Sequence, residues 1–526
     1  MASDRTNDTS VSRLLELASP TGPAAPRDDE IEYHPMDSVE GVEDVELYNR
    51  GGLHPVHLGD TLDGRFEVAH KLGHGGFGTV WLCQDVKQRC WRAVKIMTAD
   101  HSARGNDVRI IEHLTQSAAS SSRQCESNHV SVPLERFWLE GPNGRHLCLV
   151  SEVFGWNVAT WSQHLHPLAA ETPEMVNDAC RQIAKGLRFL HSRGVCHGDV
   201  RPPNILMRLR GLDRLSKRQV LALTGEPELV RVRTMSGASP QPRAPTHCVV
   251  DVDPRWCETL SSSCVAIIDF GESFRVEAPP ETTGIPSAYG APEILVEGVR
   301  VPGLPSDIWS LACTMYEIKT HDILFGSRWG GGVNMAMDQM ARYLGPVPEP
   351  YEAAYRRQLH AAFKRPLDED EEVKKTSTSA EAQPAPLPTE AECAHPFERG
   401  IGAERQYLRE DDLLPEKQEE TIKYRYPQRD ISLFPDLLGK MLKYDPDERI
   451  SIHEVLYHPW MGGLPAYLAL YGRFRSIPLF VYIWGIWLFL LLCALLCWTF
   501  SRPKESVLMP VTGFRLPERD VALLLA

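Results

Sequence analysis

The sequence lacks the patterns that mark two common classes of protein. Its 13 cysteines include no C-x-x-C pair and no spacing that suits zinc, so no zinc site is expected. Basic residues are not in excess, because 56 Lys and Arg stand against 70 Asp and Glu, and the formal net charge is −14. A general nucleic-acid-binding protein needs a basic face, so direct nucleic-acid binding is not expected.

The amino terminus lacks an apolar stretch, since residues 1–10 read MASDRTNDTS. A secretory signal peptide is therefore not expected. The cysteines also show no spacing that is typical of a disulfide framework. Both observations favour a reducing, cytosolic setting for the main domain.

The composition suits a large folded domain that carries acidic segments. Hydrophobic residues make up 43% of the 526 residues, which is enough for a sizeable core. Residues 1–50 hold twelve Asp and Glu against four Lys and Arg, and residues 366–430 hold seventeen against nine. Both segments are also rich in Pro, Ser and Thr, so both are predicted to be disordered or loosely ordered.

A long uncharged run lies near the carboxyl end. Residues 476–501 contain no charged residue, and about 20 apolar residues in a helix cross the hydrocarbon core of a bilayer. Aromatic residues crowd both ends of the run, as interfacial belts do. The run is predicted to be a transmembrane helix, followed by a short tail of residues 502–526. The expected topology is a single-pass carboxyl-terminal anchor with the main domain in the cytosol. The sequence does not identify the organelle. The alternative is that an error in the gene prediction added this run to a soluble protein.

Strand-like alternation precedes helical periodicity along the chain. Alternating apolar residues begin near Arg65 and continue, after a glycine cluster, to the run HLCLVSEV. From Glu174 onward the apolar residues recur at helical spacing. The order predicts an α+β fold in which a small β-rich lobe precedes a larger helical lobe.

The glycine cluster has the spacing of a phosphate-binding turn. It reads Leu72, Gly73, His74, Gly75, Gly76, Phe77, Gly78, Thr79 and Val80. Glycines let backbone N–H groups approach phosphate oxygens, and the strand-like residues that follow favour a hairpin over a Rossmann turn. Ala93-Val94-Lys95 follows and matches the V-A-I-K strand whose lysine contacts the α- and β-phosphates of a nucleotide.

Three further motifs follow in a fixed order. The run from His197 to Asn204 matches the spacing of H-R-D-L-x-x-x-N, in which Asp199 would orient or accept the substrate hydroxyl proton. Asp269-Phe270-Gly271 follows an apolar strand and would place a carboxylate on Mg²⁺, with Asn204 holding a second Mg²⁺. Ala291-Pro292-Glu293 completes a set of motifs whose order is not plausible by chance.

These motifs resemble the eukaryotic protein kinase superfamily over roughly residues 60–462. A narrower resemblance is to the SR-protein kinase family. It rests on the lead-in from Tyr48 to Asp60, the runs Gly64-Arg65-Phe66 and Thr79-Val80-Trp81-Leu82, and the long insert before Asp269. That resemblance implies the two-lobed protein kinase fold and a protein serine/threonine kinase. It further implies ATP and Mg²⁺ as cofactors and Arg/Ser-rich protein substrates such as splicing factors.

The resemblance also divides the chain and assigns roles. The divisions are an acidic leader at 1–47, an N-lobe at 48–151, a hinge at 152–155, and a C-lobe at 156–465 with inserts at 208–262 and 366–430. Residues implied at the nucleotide, besides the glycine cluster, are Ala93, Lys95, Asp107, Leu206, Glu152, Phe154 and a small gatekeeper, Ser151. Residues implied to support the site are His197, Phe270, Gly271, Asp307, which braces the catalytic loop, and Glu293, which pairs with Arg449.

The sequence departs from the kinase pattern at three positions. Asp107, with Glu112 as the alternative, takes the place of the helix-αC glutamate that pairs with the lysine. Arg201 stands where a catalytic-loop lysine is usual, and Gly198 stands where an arginine commonly binds a loop phosphate. Retention of the lysine and the three catalytic-loop and metal residues favours an active kinase. The alternatives are a pseudokinase-like membrane-anchored scaffold and a broader Ser/Thr kinase that is not specific for Arg-Ser.

The two inserts are predicted to play no part in catalysis. The insert at 208–262 is interpreted as a solvated spacer, because it carries nine Lys and Arg against six Asp and Glu. The acidic run 368–372 is a weaker candidate for attracting Arg-rich substrates through screened electrostatics. The oligomeric state is left open.

Overall fold

The computed structural model describes residues 31–36, 40–104, 106–115, 128–166, 168–327, 331–363, 396–409 and 420–462. All of these residues belong to one unit, Met1–Gly463. Within them, no helix is long and apolar enough to cross a membrane. The predicted span at 476–501 and the tail at 502–526 lie outside the described residues.

The small lobe is built on a six-stranded antiparallel sheet in the order β1-β2-β3-β4-β6-β5. The strands are β1 Thr61–Leu62, β2 Phe66–Gly75, β3 Gly78–Asp85, β4 Cys90–Met97, β5 Glu135–Gly141 and β6 Gly144–Ser151. Helices α1 Ala99–Arg104 and α2 Asn106–Thr115 follow β4. The β2–β3 hairpin closes at the Gly75–Gly78 pair, so the glycine cluster forms its turn.

The larger lobe is helical and is packed around one long amphipathic helix. The helices that follow the sheet are α3 Val158–Gln163, α4 Thr172–His191, α5 Lys217–Thr224, α6 Pro292–Leu295, α7 Leu304–Thr320, α8 Gly332–Leu344, α9 Tyr351–Phe363, α10 Pro396–Gly402, α11 Gln428–Met441 and α12 Ile452–Tyr457. Pro173 lies in the first turn of α4 and Arg188 and His191 lie in its last, as suits the helix dipole. Its predicted apolar face is buried, and the predicted two-lobed α+β architecture is confirmed.

The remaining strands are short, and two of them, β7 and β9, carry residues of the predicted site. These strands are β7 Phe154–Asn157, β8 Val195–Cys196, β9 Ile205–Leu209, β10 Leu229–Arg231, β11 His247–Val249, β12 Ser261–Ile267, β13 Phe274–Arg275, β14 Arg405–Arg409 and β15 Glu420–Tyr424. Strand β9 pairs with both β12 and β7. Because β9 follows the catalytic-loop motif and β12 precedes Asp269, this pairing brings the two motifs together.

The acidic leader and the first insert pack against each other, which corrects two predictions. Tyr33 and Val45 of the leader, with Tyr48 directly after it, form a buried cluster with Val232 and Cys248 of the insert. The sequence predicts a leader that is disordered to residue 47 and an insert that is a solvated spacer. Both predictions were wrong for the described residues, because each segment supplies half of a small core that neither could form alone.

The second insert is also partly folded. Strands β14 and β15 form an antiparallel hairpin, and Arg405 donates from Nη1 to the carbonyl of Thr320 at 2.7 Å. The prediction of loose order is therefore wrong for residues 396–409 and 420–430. The acidic run 368–372 lies outside the described residues.

Candidate active site

The glycine-rich hairpin presents open backbone at its turn. A Cβ added at Gly73, Gly75 or Gly76 would meet no atom within 4 Å, so these residues leave space for a ligand. At Gly78, by contrast, φ is 155° and a Cβ would lie 2.3 Å from the carbonyl oxygen of Ile96. Only glycine fits there, because the β3 backbone passes directly against β4.

Lys95 and Asp269 form the central ion pair of the cleft. Lys95 Nζ donates to Asp269 Oδ2 at 2.9 Å, and the two side chains are about one quarter and one third exposed. Burial acts to lower the pKa of Lys95, but the carboxylates of Asp269, Asp107 and Asp199 together outweigh burial and raise that pKa. The lysine likewise outweighs burial at Asp269, whose pKa is lowered. Both groups are therefore held in their charged forms.

Asp199 is fixed by two neighbours on its own loop. Arg201 Nε donates to both carboxylate oxygens of Asp199, at 2.8 and 3.0 Å. Asn204 Nδ2 donates to Oδ2 of Asp199 at 2.6 Å and to its backbone carbonyl at 2.9 Å. Arg201 therefore keeps the positive charge of the usual lysine but directs it at the carboxylate.

Asp307 braces the catalytic loop through the loop backbone. Its carboxylate accepts hydrogen bonds from the backbone N–H groups of His197, at 2.8 Å, and Gly198, at 3.0 Å, and lies 3.0 Å from His191 Nε2. Burial raises the pKa of this carboxyl, but its hydrogen bond with His191 and the charges of nearby histidines outweigh that and lower it. His197 Nε2 donates to the carbonyl of Ile268 at 3.0 Å, which connects the loop to the residue before Asp269.

Gly198 cannot be replaced by a larger residue without moving the backbone. Its φ is 77°, and a Cβ there would lie 2.3 Å from the carbonyl oxygen of Glu272. The side chain of Glu272 accepts a hydrogen bond from Gly284 N at 2.6 Å and so holds the following loop. The carboxylate of Glu272 therefore holds this loop, and no phosphate group is needed for the contact.

We expect phosphorylation of this loop to be unnecessary for activity. No arginine precedes Asp199 to bind a phosphate, which is how loop phosphorylation commonly acts. Alanine at both Thr282 and Thr283 should leave the turnover rate within about threefold of wild type. A steady-state assay of the double variant tests this expectation, and a loss of several orders of magnitude would contradict it.

Asp107 lies beside the lysine, whereas Glu112 lies elsewhere on α2. Burial raises the pKa of Asp107 to about 6, against the effect of Lys95 and with a further contribution from Asp269. Glu112 instead pairs with Arg136 at 2.7 Å, and both of those side chains are nearly half exposed. The alignment that places Asp107 at the position of the helix-αC glutamate therefore agrees with the structure. Lys95 nevertheless donates its hydrogen bond to Asp269 and not to Asp107.

The predicted adenine end of the cleft lies where β6 leads into β7. Ser151 pairs with Ala93 across the sheet, and Leu206 lies on β9. Arg208 pairs with Glu152, and its guanidinium carbon lies 5.6 Å from the ring centre of Phe154. Sequence reasoning missed Arg208, because its partner is 56 residues away and no local motif marks the pair.

The remaining support residues lie together as the sequence predicts. Arg449 donates from both terminal nitrogens to Glu293 at 2.6 Å, and both side chains are fully buried. Phe270 is buried with its ring centre 5.7 Å from that of His197. Gly271 N donates to Asp269 Oδ1 at 3.3 Å.

The oxygen donors of the cleft suit Mg²⁺ held jointly with a nucleotide. Among the described residues, no group of three or more His, Cys, Asp or Glu could hold a metal ion. Magnesium needs no such cage, because it is usually bound through one or two carboxylates together with substrate phosphates and water. Asp269 supplies an ionised carboxylate and Asn204 an amide oxygen, so the donor set fits.

Comparisons with known proteins show the family to which this chain belongs. Residues 66–216 and 258–461 match the family described as the protein kinase domain. The chain is 26% identical to "Serine/threonine-protein kinase SRPK" of Physarum polycephalum, over 82% of this chain and 92% of that protein. It is 33% identical to "SRSF protein kinase 3" of Homo sapiens, over only 32% of this chain and 30% of that protein. A solved kinase domain has a TM-score of 0.47 at 21% identity, covering 77% of this chain and 98% of that one.

Proposed function

Because this chain belongs to the protein kinase family and is a serine/threonine protein kinase, we propose that it transfers the γ-phosphate of ATP to serine hydroxyls of Arg/Ser-rich proteins with Mg²⁺. The observation that carries the proposal is the convergence of Lys95, Asp269, Asp199 and Asn204. Asp199 is also near enough to Lys95 for its charge to raise the pKa of the lysine, which supports the proposal.

Each charged residue has a distinct task in the proposed reaction. Asp199 accepts or orients the proton of the attacking hydroxyl, and its bonds from Arg201 and Asn204 fix the carboxylate for that role. Lys95 neutralises charge on the α- and β-phosphates. Asp269 and Asn204 would hold Mg²⁺, which when bound would supply neutralisation of the phosphate charge.

The geometry argues against the scaffold alternative. A protein that binds partners without transferring phosphate has no need to keep Lys95 and Asp269 charged in a partly exposed cleft. It has equally little need to fix Asp199 through two side chains. Burying such polar groups costs free energy unless they are paired, so their joint retention favours catalysis.

The proposed preference for serine beside arginine rests on the named relatives and on the acidic chain. One relative is called an SRPK and the other an SRSF protein kinase. A net charge of −14 favours encounter with basic peptides. The alternative is a broader Ser/Thr kinase that also accepts serine followed by proline.

A peptide panel distinguishes these substrates. Purified protein should phosphorylate Arg-Ser repeats with kcat/KM at least about tenfold above Ser-Pro or acidic-flanked peptides, since one charge-assisted contact is worth that much. Ionic strength must be matched across the panel, because salt screens the attraction. Equal kcat/KM on Arg-Ser and Ser-Pro peptides would remove the Arg-Ser preference and leave the kinase assignment in place.

We also propose that residues 476–501 anchor the protein in a membrane with the kinase domain in the cytosol. The support is the 26-residue run without charge. Carbonate extraction of cell membranes should retain the full chain, and deletion of 476–501 should release it. Protease added to intact organelles should digest the kinase domain. Carbonate release of the intact chain would rule out the span, and protection of the whole domain would reverse its orientation.

A further inference from the structure

On its β2 side, the glycine-rich hairpin carries one side chain among its glycines. In the run Gly73-His74-Gly75-Gly76 only His74 carries a side chain. Glycine backbone is conformationally free, so the position of the turn depends on contacts made by its neighbours. At the tip, Thr98 N donates to the carbonyl of Phe77 at 3.0 Å.

The other side of the hairpin is held by an ionic cluster that comprises Glu43, Lys71, His74 and Asp251. The ammonium group of the fully buried Lys71 pairs with Glu43, and its Nζ lies 3.2 Å from Asp251 Oδ1. The second oxygen of Asp251 lies 2.8 Å from His74 Nδ1. One carboxylate thus contacts two side chains of β2, one on each side of Leu72-Gly73.

The backbone around Asp251 is fixed by both neighbouring segments. Asp251 N donates to the carbonyl of Gly41 at 2.8 Å, and Val252 N donates to the carbonyl of Lys71 at 3.0 Å. A buried ammonium group requires an anion, and Glu43 supplies it from the leader. Asp251, whose side chain is 25% exposed, therefore retains an oxygen for His74.

We propose that Asp251 of the insert is a positioning residue for nucleotide binding, which it promotes by holding the glycine-rich hairpin through His74 and Lys71. The inference rests on the proposed use of ATP as phosphoryl donor. A loop already held in its binding conformation loses less conformational freedom when ligand binds, and this raises affinity. The leader and the insert thereby contribute to the nucleotide site.

The test is the kinetic effect of Asp251→Asn in the purified chain. KM for ATP should rise about fivefold, as expected for loss of a partly exposed contact to a carboxylate. The value of kcat should change by less than about twofold, because the contact holds the binding loop and not the reacting groups. Asp251→Glu, which restores the charge, should recover most of the wild-type KM.

Asp253→Asn is the matched control. Asp253 lies two residues away, is about half exposed and pairs with Arg255, so its KM for ATP should equal that of wild type. The variant His74→Ala removes the contact from the exposed hairpin side without disturbing the core. It should raise KM for ATP by a similar factor, and Asp251→Asn should then add little.

The outcomes separate this inference from the proposed function. An unchanged or lower KM for ATP in Asp251→Asn would overturn the positioning role, provided that wild type transfers phosphate from ATP. An equal rise in KM for Asp253→Asn would also overturn it. A folded wild-type protein without any ATP-dependent transfer would instead overturn the proposed function.

Discussion

Replacing Asp269 by Asn should lower metal-dependent phosphoryl transfer by at least about 10³-fold, as loss of a charge that stabilises the transition state does. Asp269 is the ionised carboxylate opposite Lys95, at 2.9 Å. Asparagine has the same shape and can still accept the hydrogen bond from Gly271 N. The substitution therefore removes the charge that Mg²⁺ requires while keeping the local backbone. The turnover rate at saturating ATP and Mg²⁺ measures the effect.

The matched control is another Asp→Asn substitution outside the cleft. Asp338 lies on α8 and pairs with Arg342 one turn away, with both side chains about half exposed. Asp338→Asn should leave turnover within about twofold of wild type, because exposed pairs contribute little. Unchanged thermal melting of Asp269→Asn would show that it is folded. Wild-type turnover in that variant would contradict the metal assignment.

Glu293→Gln should lower the free energy of unfolding by about 3–5 kcal/mol, because it leaves a buried guanidinium group without a counter-charge. Arg449 makes two hydrogen bonds of 2.6 Å to Glu293, and neither side chain has more than 1% of its surface exposed. Ser306 Oγ also donates to Glu293 at 2.8 Å. Urea unfolding of the two proteins, followed by fluorescence, gives the difference.

An exposed ion pair in the same lobe provides the comparison. Arg300 Nη1 lies 2.7 Å from Asp447, with 43% and 72% of the side chains exposed. Asp447→Asn should therefore cost no more than about 1 kcal/mol. If the two variants unfolded at the same urea concentration, the buried pair would not have the structural role assigned to it.

The motifs of the site could be predicted because each is local in sequence. Each motif is a continuous run, and the spacing of residues within the run predicts its local structure. These runs are the glycine turn, the Ala93-Val94-Lys95 strand and the loop from His197 to Asn204. The place of Asp107 followed from the same reasoning, since helical register alone separates it from Glu112.

The contacts between distant segments could not be predicted from one sequence. His74 and Asp251 are 177 residues apart, and no pattern near either residue identifies the other. The same holds for the leader and the first insert, where composition indicated disorder for the leader and a solvated spacer for the insert. A few apolar residues, such as Tyr33 and Val232, decide the outcome because they meet in one cluster. Composition averages over a segment and cannot show that its partner lies elsewhere in the chain.

The central claim is that this cleft transfers phosphate from ATP to a protein serine. The most direct measurement is incorporation of γ-labelled phosphate into an Arg-Ser peptide by purified protein, with and without EDTA, beside the Asp269→Asn variant. The account predicts incorporation that saturates with ATP, stops with EDTA, returns with added Mg²⁺ and is lost in the variant. Equal incorporation by wild type and Asp269→Asn, or none by folded wild type with ATP and Mg²⁺, would contradict it.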